Sequence, residues 1–259
     1  MAERPRRRTP RQAEVRRVER LTPHMTRVVL GGPGLDGFGA GEYTDHYVKL
    51  LFPGDDPERP RMRTYTVRRW DAQAGELWLD VLVHGDAGVA GPWAAQAKPG
   101  DTIQLLGPGG DYAPRADVDW HLLAGDESAL PAIAASLERM PADARAHVFI
   151  EVEGPEEEQK LEAPADATII WLHRGDAPAG SALVPAVTAL AFPAGTGQAF
   201  VHGEAGFVKE LRRLLLVERA LPRADVSISG YWRLGHDEDR WQATKRDWNR
   251  QVEEEQGVS

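Results

Sequence analysis

The hydrophobic pattern of this 259-residue chain changes near residue 117, and that change limits its fold more than any other feature. Before it, short apolar and β-branched segments such as DHYVKLLFP, ELWLDVLVHG and DTIQLLGPGG are separated by Gly, Pro and Asp. Strands at this spacing, joined by turn residues and without long helical patterns, are typical of a closed or nearly closed antiparallel barrel. We therefore predict an N-terminal antiparallel β-barrel over residues 13–116.

After residue 117, apolar strands alternate with helical segments. The segment WHLLAGDESALPAIAASLERM reads as a strand, a tight turn and a helix whose apolar residues recur at helical spacing. The segment AFVHGEAGFVKELRRLLLVERAL repeats this arrangement. Because such alternation is typical of βαβ units, we predict an α/β parallel-sheet domain over residues 117–235.

The two charged ends of the chain are predicted to lie outside these domains. Residues 1–12 are rich in Arg and Pro, and we expect them to form a flexible basic arm. In residues 236–259, Trp241, Trp248 and Val252 are spaced to share one helical face. A C-terminal helical tail is therefore predicted, packed on the second domain or folded back on the first.

Composition narrows the function classes. The formal charge of −9 and the absence of a long apolar run argue against nucleic-acid binding and membrane insertion. The Arg-rich start leads into polar sequence and not into an apolar leader, so we expect a cytoplasmic protein. Without cysteine, disulfides, thiolate metal sites and a cysteine nucleophile are excluded, and redox chemistry requires a borrowed cofactor. The eight histidines lack metal-ligand spacing, so no protein-bound structural metal is predicted.

The segment RMRTYTVRRW, residues 61–70, is the first candidate binding site. Strand alternation places Arg63, Tyr65 and Val67 on one face and Thr64, Thr66 and Arg68 on the other. An aromatic ring, a hydroxyl and a guanidinium suit a ligand that combines a flat ring system with a pyrophosphate, as flavin adenine dinucleotide (FAD) does. The alternative interpretation is an exposed barrel strand with its arginines in solvent.

A glycine-rich loop follows in residues 82–101. It passes through His84, Gly85 and Gly91 and leads into a short helix predicted to start at Pro92 or Trp93. A helix start with unpaired backbone amides attracts phosphate. A plain hairpin loop is the alternative.

Two further turns follow strands of the predicted parallel sheet. LLAGDESALPAI ends a strand at Gly125 and is followed by Asp126 or Ser128 as a candidate N-cap. VHGEAGFVKELRRLL repeats the pattern at Gly203 and Glu204. Neither is a G-x-G-x-x-G fingerprint, but both lie where ligands bind in open α/β sheets, beyond the carboxyl ends of the strands. Together they could line a nicotinamide-nucleotide cleft.

Seven ordered segments resemble the siderophore-interacting protein family, the FAD-dependent ferric-siderophore reductases allied to the ferredoxin-reductase superfamily. These segments are RTYTVR, LDVLVHG, GPWAAQAKPGD, AGDESALPAI, WLHR, GEAGFVKELRRLL and SGYWRLGHDED. The resemblance extends from about Val15 to Trp241.

The resemblance implies FAD as cofactor and NADPH or NADH as electron donor. Around the isoalloxazine ring and its ribityl chain it places Arg63, Tyr65 and Thr66, and at the flavin phosphates it places Arg68. Around the pyrophosphate and adenine it places His84, Gly85, Gly91, Trp93 and Ala94. Against flavin and nicotinamide it places Gly125, Asp126, Glu127, Ser128 and Ala129. In the NAD(P)H cleft it places Arg174, Gly203, Glu204, Tyr231, Trp232 and Arg233, and Arg174 hints at NADPH.

The implied chemistry is hydride transfer from NAD(P)H to flavin N5, followed by single-electron reduction of Fe(III) in a bound siderophore. The protein supplies no general base, and Thr66 orients the flavin. Lys49 resembles a family position that attracts the anionic siderophore, and Lys245 or Arg246 could join it. The alternatives are an exposed strand lysine and a solvated helix face, and His46 is either a pocket neighbour or a barrel residue.

Three functions remain open at this point. The first is a monomeric ferric-siderophore reductase, and the second is a flavin reductase or flavoprotein electron donor to another protein. The third is a non-catalytic siderophore-binding protein.

Overall fold

The computed structural model describes residues 9–39, 41–54, 56, 59–83 and 88–257, and the chain forms two compact units, Met1–Asp111 and Tyr112–Ser259. The predicted domain boundary at residue 116 lies within the second unit. Tyr112 is buried there against Phe200, with 4.8 Å between ring centroids. The segment that follows the barrel is therefore anchored by this aromatic contact to the α/β unit.

The first unit is built around one seven-stranded antiparallel sheet in the order β4-β3-β7-β1-β2-β6-β5. Its strands are β1 Arg11–Arg20, β2 Met25–Gly31, β3 Tyr47–Phe52, β4 Arg61–Thr66, β5 Arg69–Asp71, β6 Glu76–Leu82 and β7 Thr102–Gly109. A 3-10 turn at Pro33–Leu35 and helix α1 at Ala90–Gln96 complete the unit. Strands β4 and β5 form the two edges of the sheet. This antiparallel architecture confirms the class predicted for the N-terminal domain.

The core of the first unit follows from alternation along its strands. Every second residue points inward, and the fully buried set consists of aliphatic side chains. Members of this set are Val15, Val28, Leu30, Val48, Leu50, Leu77, Leu79, Val81 and Leu105. Because β-branched and leucine side chains fill a pleated surface well, the period of two is sufficient to specify this sheet.

The predicted arm over residues 1–12 is too long at its C-terminal end. Strand β1 begins at Arg11, which pairs with Leu105, and Gln12 pairs with Gln104. The Arg11 guanidinium also donates to the carbonyls of Gly34 and Asp36, at 3.2 and 2.8 Å. Backbone pairing and these hydrogen bonds make Arg11 and Gln12 part of the sheet.

The second unit contains a five-stranded parallel sheet in the order β10-β9-β8-β11-β12. Its strands are β8 Trp120–Asp126, β9 Ala146–Val152, β10 Ala167–His173, β11 Gly197–Glu204 and β12 Val226–Trp232. Its helices are α2 Leu130–Arg139, α3 Leu183–Thr188, α4 Ala205–Arg213 with a π-helical continuation at Leu214–Glu218, and α5 Glu238–Gln256. Two 3-10 turns lie at Pro155–Glu157 and Arg223–Asp225. Every residue of β8 and β11 is buried, as expected for central parallel strands covered on both faces.

Helix α5 packs on the second unit, which confirms the predicted C-terminal helix and selects the first of the two predicted placements. Trp241 is fully buried, and its ring approaches Gly230 of β12 so closely that a Cβ there would lie 3.1 Å from it. Trp248 packs edge-on against Trp241, and Glu253 pairs with Arg212 of α4 at 3.5 Å. None of the helices in the described part of the chain combines the length and hydropathy that a membrane span requires.

Candidate cofactor and substrate sites

Strand β4 separates its predicted site residues onto two faces. It pairs with β3 in the register Tyr47 with Thr66, Lys49 with Thr64, and Leu50 with Arg63. Since residues opposite each other in an antiparallel pair share a face, Arg63 and Tyr65 lie on the side of the buried Leu50. We call this the Arg63 face. Tyr47, Lys49, Thr64 and Thr66 lie on the opposite side, which we call the Lys49 face.

Arg68 does not continue either face, contrary to the predicted alternation. The strand ends at Thr66, although the Val67 amide still donates to the His46 carbonyl at 2.6 Å, in register with the β3 pairing. The Arg68 amide donates to the Trp78 carbonyl, and its guanidinium lies 4.0 Å from the buried carboxylate of Asp80. Arg27 binds the same carboxylate through two hydrogen bonds of 2.7 Å. The proposed contact of Arg68 with the flavin phosphates stays a prediction.

The start of β3 is fixed to the C-terminal end of β7 by close contacts. His46 Nδ1 lies 3.2 Å from the Gly109 carbonyl oxygen, and the Asp111 amide donates to Asp45 at 2.9 Å. A Cβ at Gly109 would overlap the distal part of the Tyr47 ring. His46 is therefore a buried barrel residue, and glycine at position 109 allows the Tyr47 ring to lie against the β7 backbone.

The loop and helix predicted around a pyrophosphate are described only in part. His84 and Gly85 lie outside the described residues. Helix α1 begins at Ala90, before the predicted start, so Gly91 lies in its first turn, and the N-cap residue Val89 forms no side-chain cap. Trp93 packs edge-on against Phe52 of β3, and Ala94 is fully buried. Trp93 and Ala94 thus anchor α1 to the barrel, and their predicted contact with the pyrophosphate and adenine stays a prediction.

In the second unit, Asp126 joins the carboxyl ends of three strands. Its Oδ1 accepts from the amide and hydroxyl of Ser128 at 3.0 and 2.5 Å. Its Oδ2 accepts from the Glu204 amide and the Trp232 indole at 2.9 and 2.8 Å. Burial raises the pKa of Asp126 to about 6, although the Ser128 hydrogen bond opposes this rise. Asp126, Ser128, Glu204 and Trp232 were all predicted at a cofactor cleft; in the structure they bond to each other, and their contacts with a cofactor stay a prediction.

Two glycines are required for this network to close. A Cβ at Gly125 would lie 2.5 Å from the Ala129 Cβ and 2.6 Å from the His202 carbonyl oxygen. Gly203 has φ of +140°, and a Cβ there would lie 2.7 Å from the Asp126 carboxyl carbon. Both positions therefore have a packing reason to be glycine that requires no ligand.

The neighbouring acidic side chains are also satisfied within the fold. Glu204 caps α4 by accepting from the amides of Gly206 and Phe207, and it accepts from the Leu234 amide at 3.1 Å. Glu127 accepts from the Glu153 amide at 2.9 Å and from Arg174 at 2.7 Å. The predicted side-chain N-cap of α2 is wrong, because Ala129 occupies that position and no side chain bonds there.

Two buried side chains at this edge were missed by the sequence analysis. Glu151, at the end of β9, accepts from the amides of Gly180, Ala182 and Leu183 and so caps α3. Its place in the apolar segment AHVFIEV was the available signal, because a buried carboxylate requires partners.

The second missed residue is His202. Its ring stacks on Phe200 at 3.9 Å and lies 4.9 Å from Tyr231, and its Nε2 lies 3.0 Å from the Ser227 hydroxyl. Burial, helped by the charge of Lys245, lowers its pKa to about 3. A neutral imidazole thus supports Tyr231 from within the sheet.

The remaining predicted residues occupy less constrained positions. Lys49 is half-buried on β3 and makes no ion pair with any residue that the structure describes. Lys245 lies over the Trp241 ring at 6.0 Å, and Arg246 is exposed on α5. Arg233 is partly exposed just after β12. In the described ranges, no group of three or more His, Asp or Glu could hold a metal ion, and the predicted absence of a structural metal stays a prediction.

Comparisons with known families identify both units. Residues 118–235 match the family described as siderophore-interacting protein, and residues 14–61 and 54–112 match the siderophore-interacting FAD-binding domain. The chain belongs to the siderophore-interacting protein family. The resemblance noted in the sequence is thereby confirmed, and FAD is the cofactor of its first unit.

Three similar members of the siderophore-interacting protein family have informative names or structures. "Ferric vibriobactin reductase ViuB" of Vibrio cholerae is 36% identical, over 90% of this chain and 92% of its own length. The "NADPH-dependent ferric-chelate reductase" of Escherichia coli is 31% identical, over 86% and 92%. The crystal structure of the siderophore-interacting protein SipS from Aeromonas hydrophila is 32% identical with a TM-score of 0.84, over 94% and 99%.

More distant structures show the fold alone. Ferredoxin-NADP+ reductase from Plasmodium falciparum matches 86% of this chain and 96% of its own with a TM-score of 0.68 at 12% identity. The two-unit architecture of this siderophore-interacting protein is therefore that of the ferredoxin reductases.

The Arg63 face fits the extended FAD of this family. Tyr65 presents a half-buried ring, and Arg63 lies two residues away on the same face. Phe52 pairs with Arg61 at the other end of β4 and contacts Trp93 of α1, whose N-terminus receives no side-chain cap from its N-cap residue, Val89. Strand β4 thus provides about 13 Å of surface between Tyr65 and Arg61, which lies opposite Phe52 near α1. A ring-binding end and a phosphate-binding end are what FAD requires.

Proposed function

We propose that this protein is a cytoplasmic, monomeric reductase of ferric siderophores that uses FAD and NAD(P)H. The observation that carries the proposal is the Lys49 face, on which a cation lies next to Thr66 at the edge of the FAD-binding unit. The Vibrio cholerae and Escherichia coli relatives, which match this chain over nearly their full length, are both named as ferric reductases. Their names support the same reaction.

When bound, FAD supplies the conversion of a two-electron donor to one-electron steps, so that one NAD(P)H reduces two ferric ions. Iron(II) binds the hard oxygen ligands of a siderophore much more weakly than iron(III), and reduction therefore releases the metal. This chemistry moves electrons without a protein nucleophile. The chain needs only to bind, orient and attract the reactants.

The candidate residues of β3 and β4 each have a role consistent with this proposal. The Tyr65 ring stacks on a planar ring system, and the Arg63 guanidinium binds phosphate in a planar fork. The Thr66 hydroxyl donates to or accepts from the edge of the ring system. Lys49 lies diagonally across the strand pair from Thr66, at about 7 Å, and attracts an anionic siderophore.

The second unit limits how a nicotinamide dinucleotide can bind. The N-termini of α3 and α4 are already capped by Glu151 and Glu204, so their amides are not available to phosphates. Arg174 is paired with Glu127 and is only 17% exposed, which weakens its candidacy for the adenosine 2′-phosphate. The candidates that remain for phosphate recognition in this unit are the N-terminus of α2, where no side-chain cap is formed, and the side chains of Arg233 and Lys245.

The deciding experiment is an anaerobic visible spectrum of the FAD-loaded protein, first with NADPH and then with a ferric catecholate and an Fe(II)-trapping chelator. We expect the flavin absorbance to bleach with NADPH and to recover while trapped Fe(II) forms. Bleaching without Fe(II) would reject the siderophore substrate in favour of another electron acceptor. A protein that cannot be loaded with FAD would reject the reductase altogether.

A further inference from the structure

Tyr47 is an exposed aromatic residue with a fixed position. It is the first residue of β3 and is 37% exposed, whereas Val48 beside it is fully buried. A single exposed tyrosine is not unusual. This one differs because the distal part of its ring rests against Gly109, where a Cβ would overlap it.

The surroundings of Tyr47 hold the ring in place. The carbonyl of Gly109 lies 3.2 Å from His46 Nδ1, and the Val67 amide donates to the His46 carbonyl. The ends of β3, β4 and β7 are thereby tied together around the base of the ring. A ring held in this way loses little conformational entropy when a ligand packs on its open side.

Tyr47 shares the Lys49 face. Tyr47 is directly opposite Thr66, and Lys49 is two residues further along β3 opposite Thr64. Side chains two residues apart on a strand are separated by about 7 Å. An aromatic ring, an ammonium group and the Thr66 hydroxyl therefore lie within one small patch.

This combination fits ligands that carry aromatic rings and negative charge together. A catecholate presents a planar ring directly attached to the two anionic oxygens that bind iron, so one group can stack on Tyr47 while its charge faces Lys49. A hydroxamate binds iron without an aromatic ring and offers nothing to stack. Phenolate ligands share the catecholate chemistry.

Resting on the reductase function proposed above, we infer that Tyr47 is a specificity-determining residue that stacks on the aryl rings of ferric catecholate siderophores. The site thereby favours catecholate over hydroxamate complexes. Lys49 contributes charge attraction, and Tyr47 contributes recognition of the ring.

The test measures binding without redox chemistry. Gallium(III) replaces iron(III) because it forms similar complexes and is not reduced, and the probes are gallium enterobactin, a tris-catecholate, and gallium desferrioxamine B, a tris-hydroxamate. Dissociation constants are measured by calorimetry on the FAD-loaded protein. Tyr47→Ala should weaken gallium enterobactin binding about three- to tenfold, while Tyr47→Phe keeps the ring and the affinity.

Matched variants separate stacking from general damage. Met62→Ala removes another exposed side chain from the same strand face, about 13 Å further along β4, and should change nothing. Gly109→Ala should displace the ring and reproduce the Tyr47→Ala loss. Gly39→Ala, where a Cβ meets no atom within 4 Å, should not.

Three results would overturn the inference. They are an unchanged affinity for gallium enterobactin in Tyr47→Ala, an equal loss for both gallium complexes, and reduced FAD occupancy, which would make Tyr47 a flavin contact. Failure of the reductase proposal gives a different pattern. In that case Tyr47-dependent binding of the gallium complex persists, but the iron complex is not reduced.

Discussion

At the ends of β3 and β4 in the first unit, Tyr47 is 37% exposed and Lys49 makes no ion pair with a described residue. At the carboxyl edge of the parallel sheet in the second unit, Asp126 is fully buried and accepts four hydrogen bonds from the protein. Both regions consist of polar residues at strand ends, where sequence reasoning places binding sites. The first leaves a ring exposed and an ammonium group without an ion-pair partner among the described residues, whereas the second uses its polar groups to join β8, β11 and β12.

The largest expected effect follows from removing the centre of the second network. Asp126→Ala leaves the Glu204 amide and the Trp232 indole without their acceptor inside the protein. Each unpaired buried donor costs about 1–3 kcal/mol, and losing a buried charge offsets part of this, so we expect a net loss of about 2–4 kcal/mol. Urea unfolding followed by far-UV circular dichroism measures it.

Two controls make this comparison specific. Asp143→Ala, at an exposed position in the same unit, should change the unfolding free energy by less than about 0.5 kcal/mol. FAD affinity should not change in Asp126→Ala. If the stability is unchanged and NADPH binding alone is lost, the carboxylate belongs to a binding site and not to the fold.

The pH dependence of stability provides the second prediction. The folded-state pKa of Asp126, about 6, exceeds the ordinary value of 3.8, so the folded protein binds more protons between these values. Stability contributed by this group is therefore full below about pH 4 and is lost as the pH rises through about 6. The advantage of the wild type over Asp126→Asn should shrink by about 2–3 kcal/mol between pH 4 and 7. An advantage that grows over this range would mean that hydrogen bonding outweighs burial.

The positions of these side chains were more predictable than their partners. The spacing of apolar residues in the sequence placed Asp126, Glu204 and Trp232 at strand ends, because that spacing indicates where each strand of the parallel sheet ends. It could not show that they bond to each other, because that depends on the order of strands in the sheet. His202 was missed for the same reason, and for Glu151 the sequence signalled a buried carboxylate in need of partners but not that the partners are the amides of α3.

Arg68 shows where strand alternation itself fails. The sequence keeps a regular pattern through residue 68, but β4 ends at Thr66, and the Arg68 amide bonds to the Trp78 carbonyl of β6 and not to β3. The change of partner strand, from β3 to β6, therefore interrupts the pattern at Arg68. Arg63, Tyr65 and Thr66 precede this point, and their placement on alternate faces follows the sequence prediction.

The third prediction tests the first region at Arg63. Arg63→Ala should weaken FAD retention about tenfold or more, because a charge-assisted bond to phosphate is lost. Arg63→Lys should weaken it less, since charge remains but the planar fork does not. FAD dissociation is measured by the recovery of free flavin fluorescence, with the exposed Arg59→Ala as control. Equal FAD affinity in wild type and Arg63→Ala would exclude Arg63 from the flavin site.

The smallest expected effect concerns Lys49. Lys49→Gln should raise the KM for a ferric catecholate about three- to tenfold with little change in kcat, because it removes attraction and not electron transfer. Lys98→Gln, at an exposed lysine paired with Asp101 in the same unit, should leave KM unchanged. Added salt should raise the wild-type KM toward that of Lys49→Gln, since exposed charges are screened over about 10 Å at moderate ionic strength. Stacking on Tyr47 does not depend on salt in this way. A Lys49 effect that persists at high salt would therefore mean that Lys49 acts by direct contact, whereas one that vanishes leaves ring stacking as the remaining source of selectivity.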